Sequence, residues 1–222
     1  MRRAVFKTVI GPRRYRAENG YDAQRFWSDR FRKHGTALRG SGDEGLSEAQ
    51  NELVYERAGA TLLEAVRRAG VDLPRARVLD VGSGPGFFTG LLHAEGVASY
   101  TGIDITEELF ADLRKRFPDY EFVRKDVTSA GLEGTFDLVM MIDVAEHIVD
   151  TDAFDRCIAN LTAAVAPGGT LLIGPLLDRS GRHLFYVRLW SREDVRDRLP
   201  TFDHLEDLPF RNGFLSAFRR PP

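Results

Sequence analysis

One stretch constrains the fold of this chain more than any other: residues 78–92, Val-Leu-Asp-Val-Gly-Ser-Gly-Pro-Gly-Phe-Phe-Thr-Gly-Leu-Leu. A short apolar run containing Asp80 is broken by Gly82, Gly84 and Gly86, and apolar residues then resume at helical spacing. That pattern predicts a buried strand, a tight turn and a helix. Glycine in such a turn lets the backbone approach a ligand without a Cβ in the way. In open α/β sheets the carboxyl ends of the strands are where ligands bind. The next predicted strand, residues 99–104, ends in Asp104, 22 residues after Gly82. That is close to the spacing at which a carboxylate holds a ribose diol.

The alternation continues. Strands are expected at 120–126 and 136–143, and helices from Thr106 (as cap), over 151–165 and from Ser191. Pro167, Gly168 and Gly169 should turn into a fifth strand, and residues 202–208 and 213–220 read as a closing hairpin. Strands separated by helices imply right-handed βαβ units and a mostly parallel sheet. Upstream, Ser47 with Gln50 three residues on forms a capping box. It opens a helix with Leu53, Val54, Leu62, Leu63 and Val66 as its apolar face, ended by Gly70. Residues 1–46 read as an arm and lid ahead of a domain at 47–222. Arg2, Arg3, Lys7, Arg13, Arg14 and Arg16 precede the first acid, Glu18. This is either a solvated arm or one that folds over an anion. Phe26, Trp27 and Phe31 fall on one side of a helix, and the Gly-rich segment 35–46 looks mobile. Together they read as a lid, or as a helix packed on the sheet edge.

Composition narrows the function. A chain of 222 residues suits one domain. The 31 basic and 33 acidic side chains leave a net charge of −2, which argues against a general nucleic-acid binder. The single cysteine, Cys157, excludes a disulfide framework or a multi-thiolate zinc site within one chain. With no apolar run of ~20 residues and no secretory block at the start, a reducing bacterial cytoplasm without membrane attachment is expected. A nicotinamide or flavin fold is one reading of the glycine turn. However, its G-x-G-x-x-G/A fingerprint would end at Phe87, and Pro85 removes a backbone donor.

Taken in order, the Leu-Asp-x-Gly-x-Gly-x-Gly turn, Gly102-Ile103-Asp104, a third strand ending in Asp126, Phe-Asp-Leu-Val-Met-Met-Ile-Asp-Val-Ala-Glu-His-Ile at 136–148 and Ala-Pro-Gly-Gly-Thr-Leu-Leu-Ile at 166–173 form a recognisable series. It resembles the class I S-adenosylmethionine-dependent methyltransferases, in particular the small-molecule branch that includes ubiquinone-pathway O-methyltransferases. The resemblance covers about residues 50–175. It implies a Rossmann-like, doubly wound α/β sheet of seven strands with the last antiparallel. The implied cofactor is S-adenosylmethionine. Asp80, Ser83 and the loop Gly82, Gly84 and Gly86 would lie at its methionine part, Asp104 at the ribose and Ile105 on the adenine. Asp126 would take the adenine amino group, Val127 would lie beside the base, and Met141 and Ile142 would pass the methionine chain.

The resemblance also frames the acceptor. After the fourth strand there is no (Asn/Asp)-Pro-Pro-(Tyr/Phe) box, which argues against methylation of planar amino groups. Asp143, Glu146 and His147 match an acidic variant of an E-x-x-E-H set. That set is structural in many members and binds Mg²⁺ or Mn²⁺ in others, so no metal is the first expectation and these three residues the alternative. His147 and His183 are the candidate proton acceptors. Trp27, from the N-terminal stretch, and Tyr186 and Arg188, from a segment in which Arg182 and Trp190 also stand, are the candidate acceptor contacts. The expected reaction is methyl transfer to an oxygen, or else a nitrogen, of a small metabolite. The alternatives are an NAD(P)-dependent oxidoreductase and a metal-assisted O-methyltransferase.

Overall fold

The computed structural model describes residues 5–18, 20–129 and 131–222. Arg2 and Arg3 of the basic arm lie outside them. Helix α1 (Ala23–His34) is capped by Asp22, whose carboxylate accepts from Arg25 N. Helix α2 (Glu48–Arg68) opens on the expected capping box, with Ser47 Oγ accepting from Gln50 N and Gln50 Oε1 accepting from Ser47 N. The buried side of α2 is Asn51, Tyr55, Ala58, Gly59, Leu62, Ala65 and Val66, a run at the 3–4-residue period of one helix face. Leu53 and Val54, expected on that face, are exposed at 55% and 37%. The helical rotation carries them to the solvent side, and Tyr55 and two small residues take the packing role.

Among the described residues seven strands form one sheet: β1 (Arg77–Val81), β2 (Ser99–Asp104), β3 (Glu121–Arg124), β4 (Phe136–Ile142), β5 (Val165–Leu176), β6 (Asp203–Phe210) and β7 (Gly213–Arg219). Their order is β6-β7-β5-β4-β1-β2-β3. All neighbours pair in parallel except β7, which runs antiparallel to β5 and β6. This is the doubly wound sheet with a reversed last strand that the sequence pattern implies. Helices α3 (Phe87–Ala94), α4 (Phe110–Arg116), α5 (Thr151–Ala164) and α6 (Arg192–Asp197) complete the alternation. Two details differ. Thr106 caps no helix: its Oγ1 accepts from Glu108 N in a turn, and α4 starts later, at Phe110. Pro167–Gly169 bulge out of β5 rather than precede it, because Phe136 pairs with Val165 and Leu138 with Thr170.

Strand alternation divides the core. Val78, Leu138 and Met140 pack with Leu62 of α2 on one face of the sheet, and Leu79, Val139 and Met141 pack with Phe154 and Leu161 of α5 on the other. A third, aromatic cluster joins Tyr15, Tyr21 and Phe26 to Tyr186, with Phe26 stacked on Tyr186 at 4.8 Å. Tyr186 lies between the two strands of a small ribbon, residues 181–189. The segment 35–46, read from sequence as mobile, is fastened on both sides. Arg30 donates to the carbonyls of Gly40 and Gly42, while Glu48 accepts from Leu38 N and Arg39 N.

The topology matters because the chain reverses its direction of growth beside β1. Val81 is level with Ile103 of β2 and Met141 of β4, so three strand ends meet at one carboxyl edge. The turn there is tightly packed: a Cβ on Gly86, at φ +78°, would overlap Leu113 Cδ2 of α4. Gly86→Ala is therefore expected to destabilise the fold by about 1–3 kcal/mol, measured by urea denaturation.

Candidate functional site

A cavity of about 610 Å³ opens at this carboxyl edge. That size is ordinary for a small-molecule site. Its floor is the glycine loop, whose geometry explains its composition. Gly82, Gly84 and Gly86 all have positive φ. Gly82 N and Ser83 N both donate to Ile103 O, at 2.7 and 3.1 Å, folding the loop onto the end of β2. A Cβ on Gly82 would overlap Val144 Cγ2, whereas at Gly84 nothing approaches closer than Gly82 O at 3.8 Å.

Asp104 lines the cavity from the tip of β2. Its Oδ2 accepts from Gly84 N and its Oδ1 from Thr106 N, each at 3.1 Å. Burial pushes the carboxyl up to about 6. Ile105, Asp126 and Val127 line the same wall. Asp126 Oδ1 accepts from Thr128 N and Thr128 Oγ1, and α5 secures the segment because Asn160 Nδ2 donates to Val127 O. The opposite wall is formed by Tyr21, Trp27, Phe31, Ser41 and Tyr55, with Ile142, Asp143 and His147 behind. Ser83 Oγ and Tyr21 Oη are buried without a hydrogen-bond partner on these walls.

Two residues expected at the cofactor do not reach the cavity. Met141 faces the opposite side of the sheet, fully buried against α5 with Cys157 Sγ 3.8 Å from its Sδ. Its neighbour Ile142 lines the cavity, as the alternation of a strand requires. Asp80 lies buried beneath the loop, accepting from Tyr100 Oη at 2.7 Å, and burial pushes it up to about 7. It supports the loop from inside the core.

The residues after β4 form the back of the site. Asp143 adopts φ +58° and pairs with Arg211 from the β6–β7 turn, with N···O distances of 2.5 and 3.2 Å. His147 Nδ1 lies 3.0 Å from Tyr186 O. A carbonyl only accepts, so Nδ1 carries the proton and Nε2 is the acceptor nitrogen. Burial lowers His147 to about 4, which leaves it neutral and weakly basic near pH 7. Glu146 is pushed up to about 8 by burial and by Asp143 nearby. The metal reading does not fit these residues. A permanently charged guanidinium holds the Asp143 carboxylate, and among the described residues no three His, Cys, Asp or Glu side chains converge on a common point.

A second cavity of about 500 Å³ adjoins the first, and the two share Trp27, Ser41, Tyr55, Asp143 and His147. Tyr186 and His183 line only the second. Arg188, expected at the acceptor, lines neither. It donates to Thr151 Oγ1 at 2.8 Å and lies over the Trp190 ring, and Trp190 is itself core, donating to Ile148 O. Tyr55 and Arg211 are site residues that sequence reasoning missed. Tyr55 is one more member of a buried helix face, and Arg211 arrives from a distant hairpin, so no local signal marks either.

Residues 78–169 match the family model described as a methyltransferase domain. Over 114 residues the chain is 36% identical to a ubiquinone biosynthesis O-methyltransferase of Xanthomonas campestris pv. campestris (strain B100), covering 49% of this chain and 46% of that protein. The chain thus spans about half the length of the curated relatives it matches. Among solved structures it is similar to the N-methyltransferase NodS from Bradyrhizobium japonicum WM9 in complex with S-adenosyl-L-homocysteine (TM-score 0.62, 22% identity, 76% of this chain and 88% of that one). It is equally similar to the 1,6-didemethyltoxoflavin-N1-methyltransferase of Burkholderia thailandensis (TM-score 0.62, 22% identity, 86% and 90%).

Residues 78–169 are thus the part of the chain that is similar to a methyltransferase domain. The domain's fold is that of the S-adenosylmethionine-dependent enzymes, and the oxidoreductase alternative fails on this match. The domain spans β1 to the start of β5, so it contains the glycine loop, Asp104, Asp126 and the Asp143–His147 turn. No helix of the described residues is long and apolar enough to cross a membrane.

The buried carboxyl beneath the loop gives a test with a sign opposite to the usual acid-denaturation behaviour. Asp80 binds its proton more tightly folded than unfolded. Its contribution is therefore full below pH 4 and declines as pH rises through about 7. Asp80→Asn, which keeps an acceptor for Tyr100, is expected to raise stability by on the order of 2–4 kcal/mol more at pH 8 than at pH 5, read from denaturation curves at the two pH values.

Proposed function

We propose that this chain transfers the methyl group of S-adenosylmethionine to an oxygen of a small metabolite. The observation that carries the reading is Asp104: a carboxylate at the lip of the cavity, fixed to the glycine loop through Gly84 N, with the apolar Ile105 and Val127 beside it. The donor set fits an adenosyl group. The Asp104 oxygens keep lone pairs for ribose hydroxyls, Asp126 for an exocyclic amino group, and Ile105 and Val127 offer apolar contact to a planar base. Gly82, Ser83 and Gly84 leave room for the aminocarboxypropyl chain beside Ile142.

The sulfonium supplies the electrophilic methyl, so the hard chemistry belongs to the cofactor. The protein positions and excludes water. Trp27, Phe31, Ser41 and Tyr55 form a wall over the cavity, which gives residues 1–46 the role of a cover for the domain at 47–222. His147, neutral and fixed through Nδ1, presents an acceptor nitrogen rather than a strong base. His183 lies at the outer cavity alone and is assigned no part in the chemistry. Oxygen is preferred over nitrogen as acceptor atom because the curated relative at 36% identity is an O-methyltransferase. The structural neighbours named as N-methyltransferases, at 22% identity, bear on the fold.

Isothermal titration with S-adenosylhomocysteine tests this reading: saturable 1:1 binding is expected. Asp104→Ala should weaken it by about 1–3 kcal/mol, through ribose hydroxyls left without their acceptor. An unchanged dissociation constant would remove Asp104 from the site.

A further inference from the structure

The second cavity contains a carboxyl group with unmet hydrogen-bonding capacity. Glu146 lines it, on the helical turn Ala145–His147. Its Oε2 is sealed from solvent with no hydrogen-bond partner. Among the described residues it is the one carboxylate among the buried side-chain polar atoms so orphaned. An orphaned buried oxygen is costly, so its retention at a cavity wall calls for a physical reason. The other acids around this cavity are engaged: Asp143 by Arg211, Glu44 by Lys33 and His34, and Asp43 by Gly45 N.

Two guanidinium groups there are engaged, and Lys7 also lines the cavity. Arg30 donates to the carbonyls of Gly40 and Gly42, and Arg211 to Asp143 and to Val54 O. The cavity's guanidinium groups are therefore committed to the protein itself. Trp27, Tyr55 and Tyr186 with Leu177 and Leu189 supply flat and apolar wall. The route to the first cavity passes Trp27 and His147, whose rings meet edge-on at 4.8 Å. Glu146 adjoins His147 in the chain and so stands at this junction.

We infer that the second cavity receives the methyl acceptor and that Glu146 meets a hydroxyl or amino group of it, so that the site selects a donor-bearing acceptor. The inference rests on the methyl-transfer reading for its biological sense. Its test does not. A carboxyl pushed up to about 8 is consistent with this, since the carboxylate accepts from a hydroxyl and the neutral acid both accepts from it and donates to it.

The test uses phenol and anisole as probes, titrated by protein-observed NMR into the full chain with and without S-adenosylhomocysteine. Phenol should bind at least 10-fold more tightly than anisole. In Glu146→Leu the preference of phenol over anisole should vanish while S-adenosylhomocysteine affinity stays the same. The melting temperature should not fall, because the orphaned atom is gone. Glu146→Gln preserves side-chain shape and serves as the second variant: its amide oxygen still accepts from a hydroxyl, so a preference for phenol should survive in it. Equal binding of phenol and anisole by the native chain, or a preference that survives in Glu146→Leu, would overturn the inference. Absence of S-adenosylhomocysteine binding with an intact phenol preference would instead sink the methyl-transfer reading and leave Glu146 standing.

Discussion

The site depends on the glycine loop being folded back onto the end of β2. Ile103 O receives two loop N–H groups, and Asp104 receives a third. The same strand end accepts Lys125 N at Asp104 O, which brings the end of β3 alongside. These bonds hold the loop, the ribose-type carboxylate and the apolar wall of Ile105 and Val127 as one rigid edge. A side chain at Gly82 or Gly86 would push against Val144 or Leu113, and the loop would lift away from Asp104. Composition, backbone conformation and binding geometry are thus a single constraint at this edge.

That constraint is local, which is why it was legible in the sequence. Three glycines at alternate positions, followed 22 residues later by an acid at a strand end, describe a turn whose partners are all nearby in the chain. The order of elements fixed the sheet in the same way. What sequence could not resolve was parity and distance. Met141 and Ile142 look equivalent as apolar residues at a strand end, yet alternation sends one to α5 and the other to the cavity. Leu53 and Val54 look like a helix face because they are apolar, but rotation by one residue exposes them. Arg188 was suggested by position in a segment that does reach the second cavity, through Tyr186 and His183. Its own side chain turns to Thr151 and Trp190. Arg211 comes from 68 residues beyond Asp143, and no local pattern announces such a pair.

Burial of charge separates the acids of the two cavities into distinct roles. Asp80 and Asp104 are each pushed up by desolvation, to about 7 and about 6. Asp80 is masked by Tyr100, while Asp104 lines the cavity. Asp143 instead meets a guanidinium, at the cost of a positive φ that few side chains adopt. The pair replaces what a cation would supply in an E-x-x-E-H set. It also occupies the shared wall of both cavities, so it shapes the passage between them.

Methyl transfer needs the acceptor atom aligned with the S–CH₃ bond and water kept out, and alignment of this kind can be worth about 7–11 kcal/mol. The aromatic cluster that joins Tyr15, Tyr21 and Phe26 to Tyr186 meets both needs at once. It ties the N-terminal segment to the ribbon at 181–189, and through Tyr186 O it holds the His147 ring. Trp27, on the same helix as Phe26, then rests edge-on against that ring between the two cavities. Loosening the N-terminal segment would therefore open the cover and release the imidazole together. For this reason the residues that lie outside the matched segment, from Tyr21 to Tyr55, shape the two cavities as much as the glycine loop does.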